Sequence, residues 1–186
     1  MAAATTLIGL GSPLMADDGL GLVVLEILRE RWSFDPPVEL VDGGTWGMNL
    51  LPLIESAGRL LLVDAINTGA EPGTCIVLER HQLPMFLSAK LSPHQIDLRD
   101  VLSLAEFRGT LPRDTVAIGL QPALVEMGVG LSPLIRTQMD VLLARVVRRF
   151  WFRGGLGEPL VNEILEIGYS PSVQGTCWRL SRSAVS

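Results

Sequence analysis

The stretch of sequence that decides the fold reads LIGLGSPLMADDG and spans residues 7–19. An apolar run ends there in a glycine-punctuated turn, which leads into a predicted amphipathic helix. A phosphate-binding turn would place a third glycine where Leu14 stands, and it would avoid the carboxylates of Asp17 and Asp18. The turn therefore excludes a phosphate site. It leaves an acidic pair that is either a helix cap with a first-turn charge or a site for a cation or a proton.

Strand-like and helix-like segments alternate along the rest of the chain. The predicted strands are Thr5–Leu10, Val38–Val41, Leu60–Val63, Gly73–Arg80 and Thr115–Leu120, and the predicted helices are Asp18–Arg31, Trp46–Ala57, Leu98–Glu106 and Pro133–Phe150. This order predicts a three-layer α/β/α fold around a mostly parallel, twisted sheet of about five strands. We expect Gly73–Arg80 to be an edge or antiparallel strand.

Composition limits the class of protein. The chain has 186 residues, 48% of them hydrophobic and 19% charged, with a formal net charge of −5. These values are those of one globular domain. The last predicted core helix ends at Phe150, and the residues from Gly154 onward mix glycine, proline and serine. We therefore expect an α/β domain over residues 1–150 and a tail over 151–186 that is peripheral or partly disordered. The negative charge argues against nucleic acid or an anionic membrane as a partner. We expect a cytoplasmic protein because the first residues lack a basic leader, and Cys75 and Cys177 have no metal-like spacing.

Carboxylates follow three of the predicted strands. Asp17 and Asp18 follow the first, Asp42 the second and Asp64 the third. In an open α/β sheet, the ligand crevice lies outside the carboxyl ends of the strands. Asp64 follows a run of four apolar residues, and a carboxylate buried there must be partnered. We interpret Asp64 as a site candidate, Asp17 as a helix cap, and Asp42 as a turn residue.

Histidine supplies a third ingredient for the site. His94 is predicted to lie in a polar loop stiffened by Pro93, whereas His81 follows a strand among charged neighbours. A loop histidine is ordinarily just solvated. Beside two carboxylates at the edge of the sheet, however, His94 would complete an Asp, Asp and His set suited to Zn²⁺ or Ni²⁺. No His-Glu-x-x-His helix occurs in the sequence, so a standard metalloprotease motif is absent.

Six blocks, in order, carry a resemblance to a known family. They are GLGSPLMADDGLG (9–21), DGGT (42–45), LVDA (62–65), PGT (72–74), SPHQ (92–95) and GLQP (119–122). From about Thr5 to about Val147 the chain resembles the hydrogenase maturation endopeptidases, which trim the C-terminus of the [NiFe]-hydrogenase large-subunit precursor. The match fades beyond Phe150.

The resemblance implies both a ligand set and a substrate. By motif position, the family's metal contacts fall on Asp18, Asp64 and His94, and the catalytic carboxylates on Asp18 and Asp64. The metal it implies is nickel carried by the precursor, and other divalent ions such as Zn²⁺ or Cd²⁺ would suit the same ligands. The precursor is then the partner, and its recognition tests whether nickel has been inserted. An aspartic-type or metal-assisted endopeptidase is expected, with either Asp18 or Asp64 as general base.

Two alternatives stay open at this point. A nickel-binding or delivery protein of the same fold would use the same three residues without cutting a peptide. A metal-free hydrolase would let Asp18 and Asp64 share a proton, with His94 incidental. The paired Asp-Thr/Ser-Gly turns usual in aspartic-protease dyads are absent from the sequence, which argues against the second alternative.

Overall fold

A computed structural model describes residues 4–34, 36–45, 47–83, 93–151 and 178–180, with the side chains of 93–97, 150–151 and 178–180 left out. The strands are β1 (Thr5–Leu10), β2 (Trp32–Phe34), β3 (Val38–Gly44), β4 (Arg59–Ala65), β5 (Cys75–Glu79), β6 (Thr115–Leu120) and β7 (Trp178–Leu180). The α-helices are α1 (Leu20–Arg31), α2 (Leu51–Ser56), α3 (Pro93–Phe107) and α4 (Pro133–Trp151). Short 3₁₀ helices span Ala16–Gly19, Gly47–Leu50 and Arg80–Gln82.

The main sheet has five strands in the order β3-β1-β4-β6-β5. The pairs β1–β3, β1–β4 and β4–β6 are parallel, while β5 runs antiparallel to β6 at the edge. The predicted sheet, including its reversed edge strand, is confirmed. From β1 the chain moves outward to β3 and then returns to β4 on the other side of β1. The strand order therefore reverses between β1 and β4, and crevices form at such a switch point.

Two apolar clusters cover the two faces of the sheet and make the three predicted layers. Helices α1 and α4 pack on one face and α2 and α3 on the other. In β4 the side chains alternate between them. Leu61 and Val63 face the first cluster, and Leu60 and Leu62 face the second. A central strand buried on both faces was expected from this apolar run, and it is confirmed.

Several element boundaries differ from the sequence-based expectation. The helix predicted from Asp18 begins as a 3₁₀ turn at Ala16 and becomes α-helical at Leu20. The helix predicted over Trp46–Ala57 is split into a 3₁₀ turn and α2, with a proline in the first turn of α2, where its missing N–H costs nothing. The second strand continues through Asp42 to Gly44, so Asp42 is an exposed strand residue and the turn interpretation was wrong.

Strand β2 was not predicted, and its partner explains why. Trp32, Ser33 and Phe34 pair in parallel with Trp178, Arg179 and Leu180 of β7. The sequence near Trp32 has no local pattern that predicts a strand. The only described partner of β2 lies in the tail. The expectation of a peripheral tail is otherwise untested, because 152–177 and 181–186 lie outside the described residues. Within the described part of the chain, no helix is long and apolar enough to cross a bilayer.

Deletion of Gly155–Ser186 is expected to cost little thermal stability. In the part of the tail that the structure describes, the loss is the three-residue pairing of β7 with β2, which stands apart from the five-stranded sheet. Calorimetry of the full-length and truncated chains measures the difference in Tm. Aggregation or a large fall in Tm in the truncated chain would show that the tail covers apolar surface of the domain.

Candidate functional site

Asp18 and Asp64 lie at the switch point of the sheet. The 3₁₀ turn that carries Asp18 follows β1 and contacts β4. Asp64 stands one residue past Val63, which pairs with Gly9 in the β1–β4 ladder. Both acids therefore belong to the carboxyl edge of neighbouring parallel strands, as expected from the sequence. Their relative exposures are 1% for Asp18 and 0% for Asp64, so both carboxylates are removed from bulk water.

Each carboxylate accepts a hydrogen bond from nearby backbone. The Ser12 N–H donates to Oδ2 of Asp18 at 2.8 Å, and the Ala65 N–H donates to Oδ1 of Asp64 at 2.8 Å. A buried carboxylate needs hydrogen-bond partners to replace the water that it loses. These two backbone groups supply part of that replacement for Asp18 and Asp64.

Gly11 allows the turn to close over Asp18. Its φ of 116° lies in the region that favours glycine. A methyl group at this position would lie 1.7 Å from the carbonyl oxygen of Asp18, far inside van der Waals contact. The second glycine of the motif therefore allows Asp18 to take its position in the turn. A phosphate-binding role is not needed to explain this glycine.

Asp17 is buried as well, but it has a different role from its neighbour. Its Oδ2 accepts hydrogen bonds from the N–H groups of Ala123 at 3.0 Å and Leu124 at 2.8 Å, and from the Ser132 hydroxyl at 2.9 Å. Its Oδ1 accepts from the Ser132 N–H at 2.6 Å. Neither the 3₁₀ turn nor α1 has a side-chain cap hydrogen bond, so the helix-cap interpretation of Asp17 was wrong.

Four hydrogen bonds give Asp17 a structural role. Three of the donors converge on Oδ2 and one lies on Oδ1, so the surrounding protein holds this carboxylate in place. Asp17 thereby joins the first turn to the loop of residues 121–132, which connects β6 to α4.

His94 is placed by its backbone only. Helix α3 begins at Pro93, so the backbone of His94 lies in the first turn of a helix and not in the predicted loop. Proline suits the first helical position, which explains the earlier start. Helix α3 packs on the face of the sheet toward which Asp64 projects, since Asp64 alternates with Val63 and shares the face of Leu62. The side chain of His94 lies outside the described residues, so its place in the ligand set stays a prediction.

The other candidate groups are not assembled into a site. His81 is exposed in the 3₁₀ helix Arg80–Gln82. Burial raises the pKa of the Cys75 thiol, and the nearby Arg145 guanidinium lowers it by less, so this cysteine is protonated and a poor nucleophile at neutral pH. Among the side chains that the structure describes, no three His, Cys, Asp or Glu residues are grouped to hold a metal ion.

Sequence reasoning missed Gln121, which is 6% exposed at the end of β6. Its Oε1 accepts from the Thr68 N–H at 2.8 Å, and its Nε2 donates to Oδ1 of Asn67 at 2.7 Å. It thereby holds the loop that follows Asp64. The available signal was the one that singled out Asp64, a polar residue directly after an apolar strand at the same edge of the sheet.

The fold and the site together define a doubly wound α/β protein with an acidic site at its switch point. Comparison with known families is consistent with this class, since the family described as hydrogenase maturation protease matches residues 22–149. The chain belongs to the hydrogenase maturation protease family, and so to the peptidases.

Individual relatives agree with the family match. The hydrogenase expression/formation protein HupM of Azotobacter chroococcum is 39% identical over 155 residues, covering 82% of this chain and 74% of its own. The hydrogenase 2 maturation protease of Escherichia coli is 34% identical over 141 residues, covering 75% and 86%. The solved structure of the hydrogenase maturating endopeptidase HybD from E. coli superposes with a TM-score of 0.77 at 32% identity, covering 81% and 94%.

Replacement of Gly11 by alanine is expected to lower peptidase activity about 100-fold while the chain remains folded. The added methyl group must push the Asp18 carbonyl away, and a displacement of about 1 Å at a reacting group can cost about 100-fold in rate. Gly109→Ala is the matched control, because Gly109 also has a positive φ, of 69°, but nothing lies within 4 Å of the added methyl. Equal loss of activity in both variants would mean that backbone strain, and not the contact with Asp18, is responsible.

Proposed function

We propose that this chain is the endopeptidase that removes the C-terminal extension of a [NiFe]-hydrogenase large-subunit precursor after nickel insertion. The observation that carries the proposal is the pair of buried carboxylates, Asp18 and Asp64, at the switch point of a hydrogenase maturation protease fold. Relatives named as maturation proteases and a maturating endopeptidase support the choice of substrate.

The donor set fits recognition of nickel that the substrate brings. Two carboxylates with the imidazole of His94 would form an ordinary oxygen and nitrogen ligand set for a divalent first-row ion, with positions left for the groups of the precursor. Nickel near the scissile bond would polarise its carbonyl or activate water, and Asp18 or Asp64 would take up the proton. Zn²⁺ or Cd²⁺ would be held by the same atoms.

An exposed apolar surface beside the site favours a polypeptide substrate over nickel delivery alone. Leu14, Met127 and Val129 are 62%, 87% and 86% exposed. They flank the backbone bridge between Met15 and Gly128, in which the Gly128 N–H donates to the Leu14 carbonyl at 3.0 Å. This surface adjoins the turn that carries Asp18, so a polypeptide bound on it would lie beside that turn.

The proposal predicts cleavage of nickel-loaded precursor and not of nickel-free precursor. Purified protein is incubated with each form, and mass spectrometry follows the C-terminal size shift. Equal cleavage of both forms would disprove metal recognition and favour the carboxylate dyad. Nickel transfer without cleavage would instead identify a delivery protein.

Variants of the ligand set sharpen this assay. His94→Ala should abolish processing and leave Tm nearly unchanged, with His81→Ala, the chain's other histidine, as the matched control. Asp64→Asn is nearly isosteric and should lose activity more than stability, with the exposed Asp100→Asn as its control. Full cleavage by His94→Ala would remove His94 from the mechanism, and unfolding of Asp64→Asn would make Asp64 structural.

The apolar surface gives a separate prediction. The double variant Met127→Ser, Val129→Ser should raise KM for the precursor about tenfold or more with little change in kcat, because apolar contact is lost on binding and the carboxylates stay in place. Phe107→Ser is the control, since Phe107 is 90% exposed at the end of α3. An unchanged KM would show that the precursor does not bind on this surface.

A further inference from the structure

We propose that the loop of residues 121–132 is a brace that fixes Asp18 relative to Asp64. Its positioning residues are Gln121, at the start of the loop, and Asp17, whose carboxylate accepts four hydrogen bonds from it. The inference rests on the proposed function, because it assigns these residues to the same reaction. It starts from a feature that the proposed chemistry leaves unused, a fully buried carboxylate adjacent in sequence to Asp18.

Residues 123–132 of the brace hold the turn that carries Asp18. Besides the four hydrogen bonds to the Asp17 carboxylate, the Asp17 N–H donates to the Leu124 carbonyl at 3.1 Å, and the Ala16 N–H donates to the Gly128 carbonyl at 2.9 Å. Ala16 has a φ of 48°, an unfavourable conformation that these contacts hold in place. Because Asp17 and Asp18 are consecutive, fixing one sets the backbone of the other.

Gln121, the first residue of the brace, holds the chain that follows Asp64. Beyond its side-chain bonds to Asn67 and Thr68, Gln121 makes two backbone bonds, donating to the Thr74 carbonyl at 2.9 Å and accepting from the Gly73 N–H at 2.8 Å. Just before it, β6 lies so close to β4 that a methyl group at Gly119 would stand 1.9 Å from the Asp64 carbonyl. The end of β4 therefore has little freedom to move away from the brace.

Both sets of contacts are made by one continuous segment. Gln121 is separated from Ala123 only by Pro122, which has a fixed φ and adds stiffness where the two sets of contacts meet. The brace thus converts two loops on neighbouring strands into a single frame, and the separation of the two carboxylates depends on it. Rigid support of this kind is what positioned catalytic groups require.

The charge of Asp17 is needed for this role. In Asp17→Asn one carboxylate oxygen becomes an NH₂ group, so at least one of the four donors must face another donor. We expect the turn to shift and kcat for precursor cleavage to fall about 100-fold, because a small displacement of a reacting group costs about that factor in rate. A merely structural role would lower Tm but leave kcat per folded molecule unchanged.

The experiment compares Asp17→Asn, Gln121→Ala and the double variant, with Thr137→Ala as a control that removes only an exposed hydrogen bond within α4. Activity is measured well below each Tm and normalised to folded protein. If the brace works as a unit, the double variant loses little kcat beyond the worse single variant. Losses that multiply would overturn a single brace, and unchanged kcat in the folded single variants would overturn the inference entirely.

A second readout separates this inference from the proposed function. Calorimetric binding of Ni²⁺ to the free protein reports on the carboxylates without any cleavage, and we expect Asp17→Asn and Gln121→Ala to weaken it about tenfold. Asp18→Asn tests the role that the proposed function gives to Asp18. If Asp18→Asn keeps full cleavage, that role fails; if the wild-type protein does not cleave nickel-loaded precursor, the proposed function itself fails. If Asp18→Asn is inactive while Asp17→Asn and Gln121→Ala match the wild type in both kcat and Ni²⁺ affinity, only the brace fails.

Discussion

The burial of Asp17 is the constraint on which the rest of the site depends. A lone carboxylate in an apolar interior costs several kcal/mol, and this one is stabilised only because three backbone N–H groups and a hydroxyl converge on it. Those donors come from a loop more than a hundred residues further along the chain. The turn is therefore stable only with the loop folded onto it, so the site and the fold form together.

The sheet topology explains why both acids lie at one edge of the sheet. Asp18 follows β1 and Asp64 is the residue before the last in β4, and these strands are separated in sequence by α1, β2, β3 and α2 but adjacent in the sheet. Parallel strands bring their carboxyl ends to one edge, and ligand crevices of such sheets form where the strand order reverses, as it does between these two strands. Gly11 then allows the backbone to pass close to the main-chain carbonyl of Asp18, and Gly119 does the same at the main-chain carbonyl of Asp64. Position in the fold, more than local sequence, makes these carboxylates a site.

The sequence predicted those parts of the fold that local patterns encode. Five strands, the reversed edge strand and the double-sided burial of β4 follow from apolar periodicity and length, and they match the structure. Strand β2 and the role of Asp17 were missed, because each depends on a partner distant in sequence, β7 in one case and the 121–132 loop in the other. Helix α3 begins earlier than predicted because a proline, read as a loop signal, also suits a first helical turn. Gln121 was missed because its amide is uncharged, so the argument from the cost of burying a charge, which identified Asp64, does not apply to it.

Asp17 and Asp18 show how the same side chain takes opposite roles one residue apart. In a tight 3₁₀ turn, consecutive side chains project in different directions, here toward the 121–132 loop for Asp17 and toward the Ser12 N–H for Asp18. The four donors on Asp17 tie its carboxylate to the loop, which gives it a structural role. For Asp18 the turn provides a buried position at the edge of the sheet, next to the apolar surface of Leu14, Met127 and Val129. An acidic pair after a strand therefore need not act as a pair. Asp17 holds the turn in place, and the turn places Asp18 at the edge of the sheet.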